Sequence, residues 1–108
     1  MSQTPVIHVL ICRVGKKIPE GILSAAKAFN AKLYVAFDEK QVRKMLREQP
    51  IDLVLMGSGL SPEMRGAMVQ AIAAIRSDLC IHMNGESETG MSFPQFVAKM
   101  LAVHMPRH

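Results

Sequence analysis

Short apolar segments alternate with amphipathic segments along the whole chain. The apolar segments are rich in branched residues, which is typical of strands buried on both faces of a parallel sheet. We predict strands over residues 6–12, 33–37, 51–56 and 79–83. Between and after them, apolar residues recur every three or four positions, which is the period of a helix with one buried face. This period predicts helices over residues 18–29, 38–49, 62–77 and 93–104.

Capping and turn residues mark the ends of these segments. Asp38 and Gln41 suit a capping box, and Pro50 ends the helix that follows them. Ser61 and Pro62 suit the cap and first position of the next helix. Strict alternation of strand and helix predicts a three-layer α/β fold, flavodoxin-like or Rossmann-like, with right-handed crossovers. We predict strand order 2-1-3-4, in a single domain over 1–108 with an ordered core of about 5–104.

Composition narrows the classes of protein that the chain can represent. At 108 residues, it is long enough for one core. No apolar run approaches the roughly 20 residues that cross a bilayer, and no secretory leader is visible, so we expect no membrane association. Cys12 and Cys80 both lie in predicted strands, which favours reduced thiols in the cytoplasm. The net charge of +4 is partly spread along helix faces, with one Tyr and no Trp, so nucleic-acid binding is not expected.

Glycines and basic residues follow the first and third predicted strands. In this topology the carboxyl ends of those strands flank the point where ligands bind. Backbone N–H groups beside basic side chains could bind a phosphate, a nucleotide or a carboxylate. The candidate ligand-binding residues are Arg13, Gly15, Lys16, Gly57, Ser58, Gly59 and Ser61. A third loop, at 84–87, is expected beside them; alternatively, the glycine turns serve the fold alone.

Two His–Cys pairs resemble metal ligands at first sight. His8 and Cys12 share one face of the first strand, and Cys80 and His82 share one face of the fourth. The third strand separates these pairs by about 9–10 Å, so one ion cannot easily reach both. We therefore expect partly buried histidines satisfied by neighbours. Of the nine methionines, Met45, Met64, Met68 and Met100 fall at helical core spacing, which favours core filling, and neither a metal nor a cofactor is expected.

The middle of the chain, residues 38–76, resembles a response-regulator receiver domain, most clearly at Gln49–Met56. Receivers carry a phosphoacceptor aspartate after strand three and an acidic pair after strand one. Here Gly57 stands at the first position, and Cys12 and Arg13 stand at the others. The resemblance implies a relic that is not phosphorylated on aspartate, holds no divalent cation and acts by binding a partner.

The chain is also similar to the lactose/cellobiose IIB type of phosphotransferase-system component. That family carries a phosphorylated cysteine directly after strand one, where this chain has Cys12, followed by Gly15. The apolar run over 51–57 is similar to its third strand. Basic residues at positions 13, 16 and 17 stand where that family has Ser and Thr. The resemblance implies a phosphoryl carrier in which Cys12 is the nucleophile.

Together these observations predict a small cytoplasmic regulatory or protein-interaction module, receiver-like in shape and without catalytic residues. Two alternatives stay open: a phosphoryl carrier that uses Cys12, and a binder of a phosphorylated small molecule or nucleotide at the ends of strands one and three. A fourth strand at the sheet edge invites pairing with another chain. We therefore predict a homodimer through that edge or through the final helix.

Overall fold

A computed structural model describes residues 6–13, 20–57, 59–83 and 93–104. They form alternating strands and helices: β1 (Ile7–Cys12), α1 (Glu20–Ala28), β2 (Ala31–Ala36), α2 (Glu39–Glu48), β3 (Leu53–Met56), α3 (Pro62–Ile75), β4 (Cys80–Met83) and α4 (Phe93–His104). The strands make one parallel sheet of order β2-β1-β3-β4. The predicted fold class and strand order are therefore confirmed.

Helices cover both faces of the sheet and divide the core in two. Helices α2 and α3 pack together on one face, and α1 and α4 pack together on the other. Because successive strand residues point to opposite faces, the central strands supply both halves. Leu10 and Val54 lie under α2 and α3, whereas Ile11 and Leu55 lie under α1 and α4. All four side chains are fully buried, as expected of central strands in a parallel sheet.

Side-chain caps begin two of the helices where the sequence predicts them. The N–H of Gln41 donates to Oδ1 of Asp38 at 2.8 Å. Oε1 of Gln41 accepts a hydrogen bond of 2.7 Å from the N–H of Phe37, one residue before the cap. The N–H of Met64 donates to Oγ of Ser61 at 3.1 Å. The contacts to Asp38 and Ser61 each satisfy an N–H that the first helical turn leaves without an intrahelical acceptor.

Several segment ends differ from the predicted ones. β2 begins at Ala31 rather than 33, because Asn30 adopts φ 53° and reverses the chain directly after α1. β3 begins at Leu53 rather than 51, although Ile51 is still buried in the core. α3 ends at Ile75, two residues before the predicted end. None of the helices among the described residues combines the length and apolar character needed to cross a membrane.

Candidate functional site

The carboxyl ends of β1 and β3 lie side by side, as the predicted site requires. Cys12 is in register with Met56, and the N–H of Gly57 donates to the carbonyl of Cys12 at 2.9 Å. On the other side, the N–H of Arg13 donates to the carbonyl of Ala36 in β2 at 3.2 Å. The backbone therefore brings Arg13 and Gly57 to the same edge of the sheet.

The candidate ligand-binding residues have different environments there. Arg13 is half-buried, Gly57 is buried and Gly59 is exposed. The hydroxyl of Ser61 already accepts the hydrogen bond that caps α3. The other candidates, Gly15, Lys16 and Ser58, lie outside the described residues, and so does the loop at 84–87. Anion binding at this edge stays a prediction.

Cys12 has the environment of a structural thiol. It is fully buried beside Leu10 and Met56 in the core under α2 and α3. Burial raises the pKa of its thiol to about 12. A nucleophilic cysteine needs the opposite shift, because the thiolate is the reactive form. The surroundings of Cys12 are therefore unfavourable for phosphoryl transfer.

The structure separates the two His–Cys pairs more fully than the strand order alone does. His8 and Cys12 lie on the face of β1 that carries Leu10 towards α2 and α3. Cys80 and His82 are in register with Leu53 and Leu55, which pack under α1 and α4. The pairs thus lie on opposite faces of the sheet. Within the described part of the chain, no group of three or more His, Cys, Asp or Glu residues could hold a metal ion.

A polar cluster that the sequence does not predict lies at the amino end of the central strands. Nδ1 of His8 and the hydroxyl of Tyr34 are hydrogen-bonded at 2.9 Å, and their rings stack with centroids 5.9 Å apart. Nζ of Lys32 lies 5.7 Å from the Tyr34 ring centroid. Asp52 accepts from the N–H of His8 through Oδ2 and donates its own N–H to the His8 carbonyl, both at 2.8 Å. The expectation that His8 is satisfied by a neighbour is confirmed.

Strand β4 forms one edge of the sheet and borders a shallow groove. It is hydrogen-bonded to β3, and no other described strand pairs with it. Cys80 is exposed, and 44% of Met83 is exposed. Between β4 and α3 lies an open groove of about 480 Å³. Its lining residues are Pro62, Arg65, Gly66, Val69, Gln70 and Met83.

A second depression lies on the outer face of α2. It has a volume of about 360 Å³ and is lined by Lys40, Arg43, Lys44, Arg47 and Glu48. Arg43 makes an ion pair with Glu39, with Nη2 and Oε1 2.9 Å apart. The depression is therefore predominantly cationic.

No known protein family, curated protein or solved structure matches this chain. Its similarity to receivers and to IIB components therefore stays a prediction from the quoted residues.

Proposed function

We propose that the protein is a non-catalytic interaction module that forms a homodimer along the outer edge of β4, with which no described strand pairs. The observation that carries this proposal is the contrast between the two edges of the sheet. Exposed strand edges pair readily with other chains, and natural proteins commonly block them with lysine, proline or covering elements. β2 carries the exposed Lys32, whereas β4 contains neither a lysine nor a proline.

The environment of β4 supports the same proposal. Met83 presents apolar surface at the edge, next to the groove against α3. A four-residue strand offers few backbone hydrogen bonds, so a stable contact needs additional burial. The groove supplies a surface that a second copy can cover. Antiparallel pairing around a two-fold axis would place Cys80 opposite Met83 of the second copy and Ile81 opposite His82.

Light scattering and sedimentation over a wide range of protein concentration test this dimer. We expect Met83→Lys to shift the protein to a monomer, because it puts a charge at the pairing edge. The matched control is Val103→Lys on α4, where the replaced valine is 64% exposed. That control should remain dimeric, and circular dichroism should show both variants folded. A wild-type monomer at every concentration, or a dimer lost only in Val103→Lys, would contradict pairing through β4.

A cytoplasmic location forms part of this proposal. Cys12 and Cys80 are both free thiols, and disulfides are rare in the reducing cytoplasm. Cys80 is also exposed, so an oxidising compartment would promote its cross-linking to other thiols. A tagged protein that fractionates with secreted material would contradict this location.

Binding of a phosphorylated small molecule is the second candidate function. The hydrogen bond from Gly57 to Cys12 aligns the ends of β1 and β3, beside the half-buried Arg13. A guanidinium at such a position suits a phosphate geometrically and electrostatically. A thermal-shift screen with inorganic phosphate and nucleotides tests the idea, with Arg13→Gln as the variant. A stabilisation that is equal in wild type and variant would exclude Arg13 from the site.

A further inference from the structure

We propose that the outer face of α2 is a docking site for an acidic helical segment of a partner protein. The basic stripe, defined as Lys40, Arg43, Lys44 and Arg47, carries this proposal. These residues follow the spacing i, i+3, i+4 and i+7, which places them on one side of a helix. The opposite side carries Val42 and Leu46, which are buried in the core. The stripe therefore faces away from the sheet.

Most of the charge on the basic stripe is not neutralised by the residues that the structure describes. Arg43 is paired with Glu39. For Lys40, Lys44 and Arg47, no ion pair forms with any residue that the structure describes. The stripe therefore concentrates positive charge on a single helix face.

Some of the charge contacts within the basic stripe lower the stability of its own helix. Lys40 and Lys44 are like charges at the spacing i, i+4, and so are Arg43 and Arg47, which destabilises a helix. Lys40 in addition lies in the first turn, where the helix dipole disfavours cations. Solubility alone would be served by interspersed charges of both signs. An external anionic partner explains why four cations share one stripe.

The shape of the stripe favours a polypeptide over a nucleic acid. The seven residue-to-residue rises from Lys40 to Arg47 span only about 10 Å, which is short for a track along a phosphate backbone. Among the described residues that line the depression there is no aromatic side chain on which bases could stack. Glu39 and Glu48 lie at the two margins of the stripe and would repel phosphates that extend beyond it. An acidic helix with carboxylates at the same spacing matches the stripe without crossing these margins.

The chemistry of the stripe suits carboxylates in two ways. Arginine presents a planar fork that binds a carboxylate through two parallel hydrogen bonds. The aliphatic stems of lysine and arginine line the depression of about 360 Å³ and can pack against the partner helix. The site is independent of the proposed dimer, because α2 lies next to β2, at the end of the sheet away from β4.

Fluorescence anisotropy with three labelled probes tests this docking site. The first probe is a helical peptide with glutamates at i, i+4 and i+7, the second is its scrambled sequence, and the third is oligothymidylate of equal charge. The test variant is Lys40→Gln with Lys44→Gln. The matched control is Lys27→Gln with Lys99→Gln, which removes the same charge from exposed positions on α1 and α4.

We expect the patterned peptide to bind the wild type, and we expect this binding to weaken as the salt concentration is raised. The test variant should bind it at least about tenfold more weakly, whereas the control should lose less than about twofold. Neutral glutamines keep helix propensity, so both variants should melt near the wild-type temperature. No binding, equal losses in both variants, or equal binding of the scrambled peptide would overturn the proposal. Tighter binding of oligothymidylate would replace it with a nucleic-acid site.

Discussion

The buried Cys12 thiol should be almost inert in the folded protein, and this can be measured residue by residue. The Cys80→Ser variant leaves Cys12 as the single thiol, and the Cys12→Ala variant leaves the exposed Cys80. Alkylation by iodoacetamide, followed by mass spectrometry, reports the rate for each. The comparison separates a structural cysteine from a nucleophile in one experiment.

The expected decrease in the labelling rate of Cys12 follows from the fraction of its thiol that is ionised. With a pKa of about 12, only about one Cys12 in ten thousand is ionised near pH ~8, against about a quarter for a thiol with the usual pKa of about 8.5. Ionisation alone should therefore slow labelling by roughly three orders of magnitude, because only the thiolate reacts appreciably. Complete burial of the sulfur slows it further.

Unfolding provides the control for this measurement. In concentrated urea, both single-thiol variants should react at similar rates, because neither thiol retains its native surroundings. Rapid labelling of Cys12 in the native protein would refute the burial argument and would favour the phosphoryl carrier. Slow native labelling together with rapid labelling in urea would support a structural thiol.

Two further predictions concern stability. Burial raises the pKa of Cys12 in the folded state. The contribution of the buried thiol to the free energy of unfolding is therefore complete below the ordinary thiol pKa, and it is lost as the pH rises towards about 12. At alkaline pH, the free energy of unfolding measured with urea should fall more steeply with pH for the wild type than for Cys12→Ala. The difference in slope should reach up to about 1.4 kcal/mol per pH unit, and equal slopes would contradict this. Gly66 lies within α3, and an added Cβ would meet nothing within 4 Å. Gly66→Ala should stabilise the protein by about 0.5–1 kcal/mol, and Ala73→Gly at an exposed position of the same helix should destabilise it similarly; a stability loss in Gly66→Ala would show that the site is not open.

The sequence was sufficient to predict the architecture because its apolar segments are distinct and its caps are standard. Continuous apolar runs such as that over 51–56 indicate strands buried on both faces, and they alternate with helical periods. The Ala31–Lys32 start of β2 was missed because a lysine interrupts the apolar pattern. An edge strand tolerates that lysine, and the edge position follows only from the complete topology.

The environment of the candidate site could be predicted only in part. The alternation of side chains shows that His8 and Cys12 share a face, but it does not relate the faces of different strands. The observed register places the pair formed by Cys80 and His82 on the other face. In the same way, the burial of Cys12 depends on how α2 and α3 pack over the sheet, which no local pattern specifies.

The unequal edges of the sheet bear on whether assembly stops or continues. If β4 could pair with β2 of another copy, each added molecule would present a fresh edge, and the sheet could grow into a fibril. Lys32 on β2 opposes that contact, since a charged edge residue is a common barrier to strand addition. Among the described strands, only the β4 edge is then left to pair, and the proposed dimer would leave no free edge of that kind. The single lysine on β2 would thus favour a closed pair over the open-ended addition of further copies.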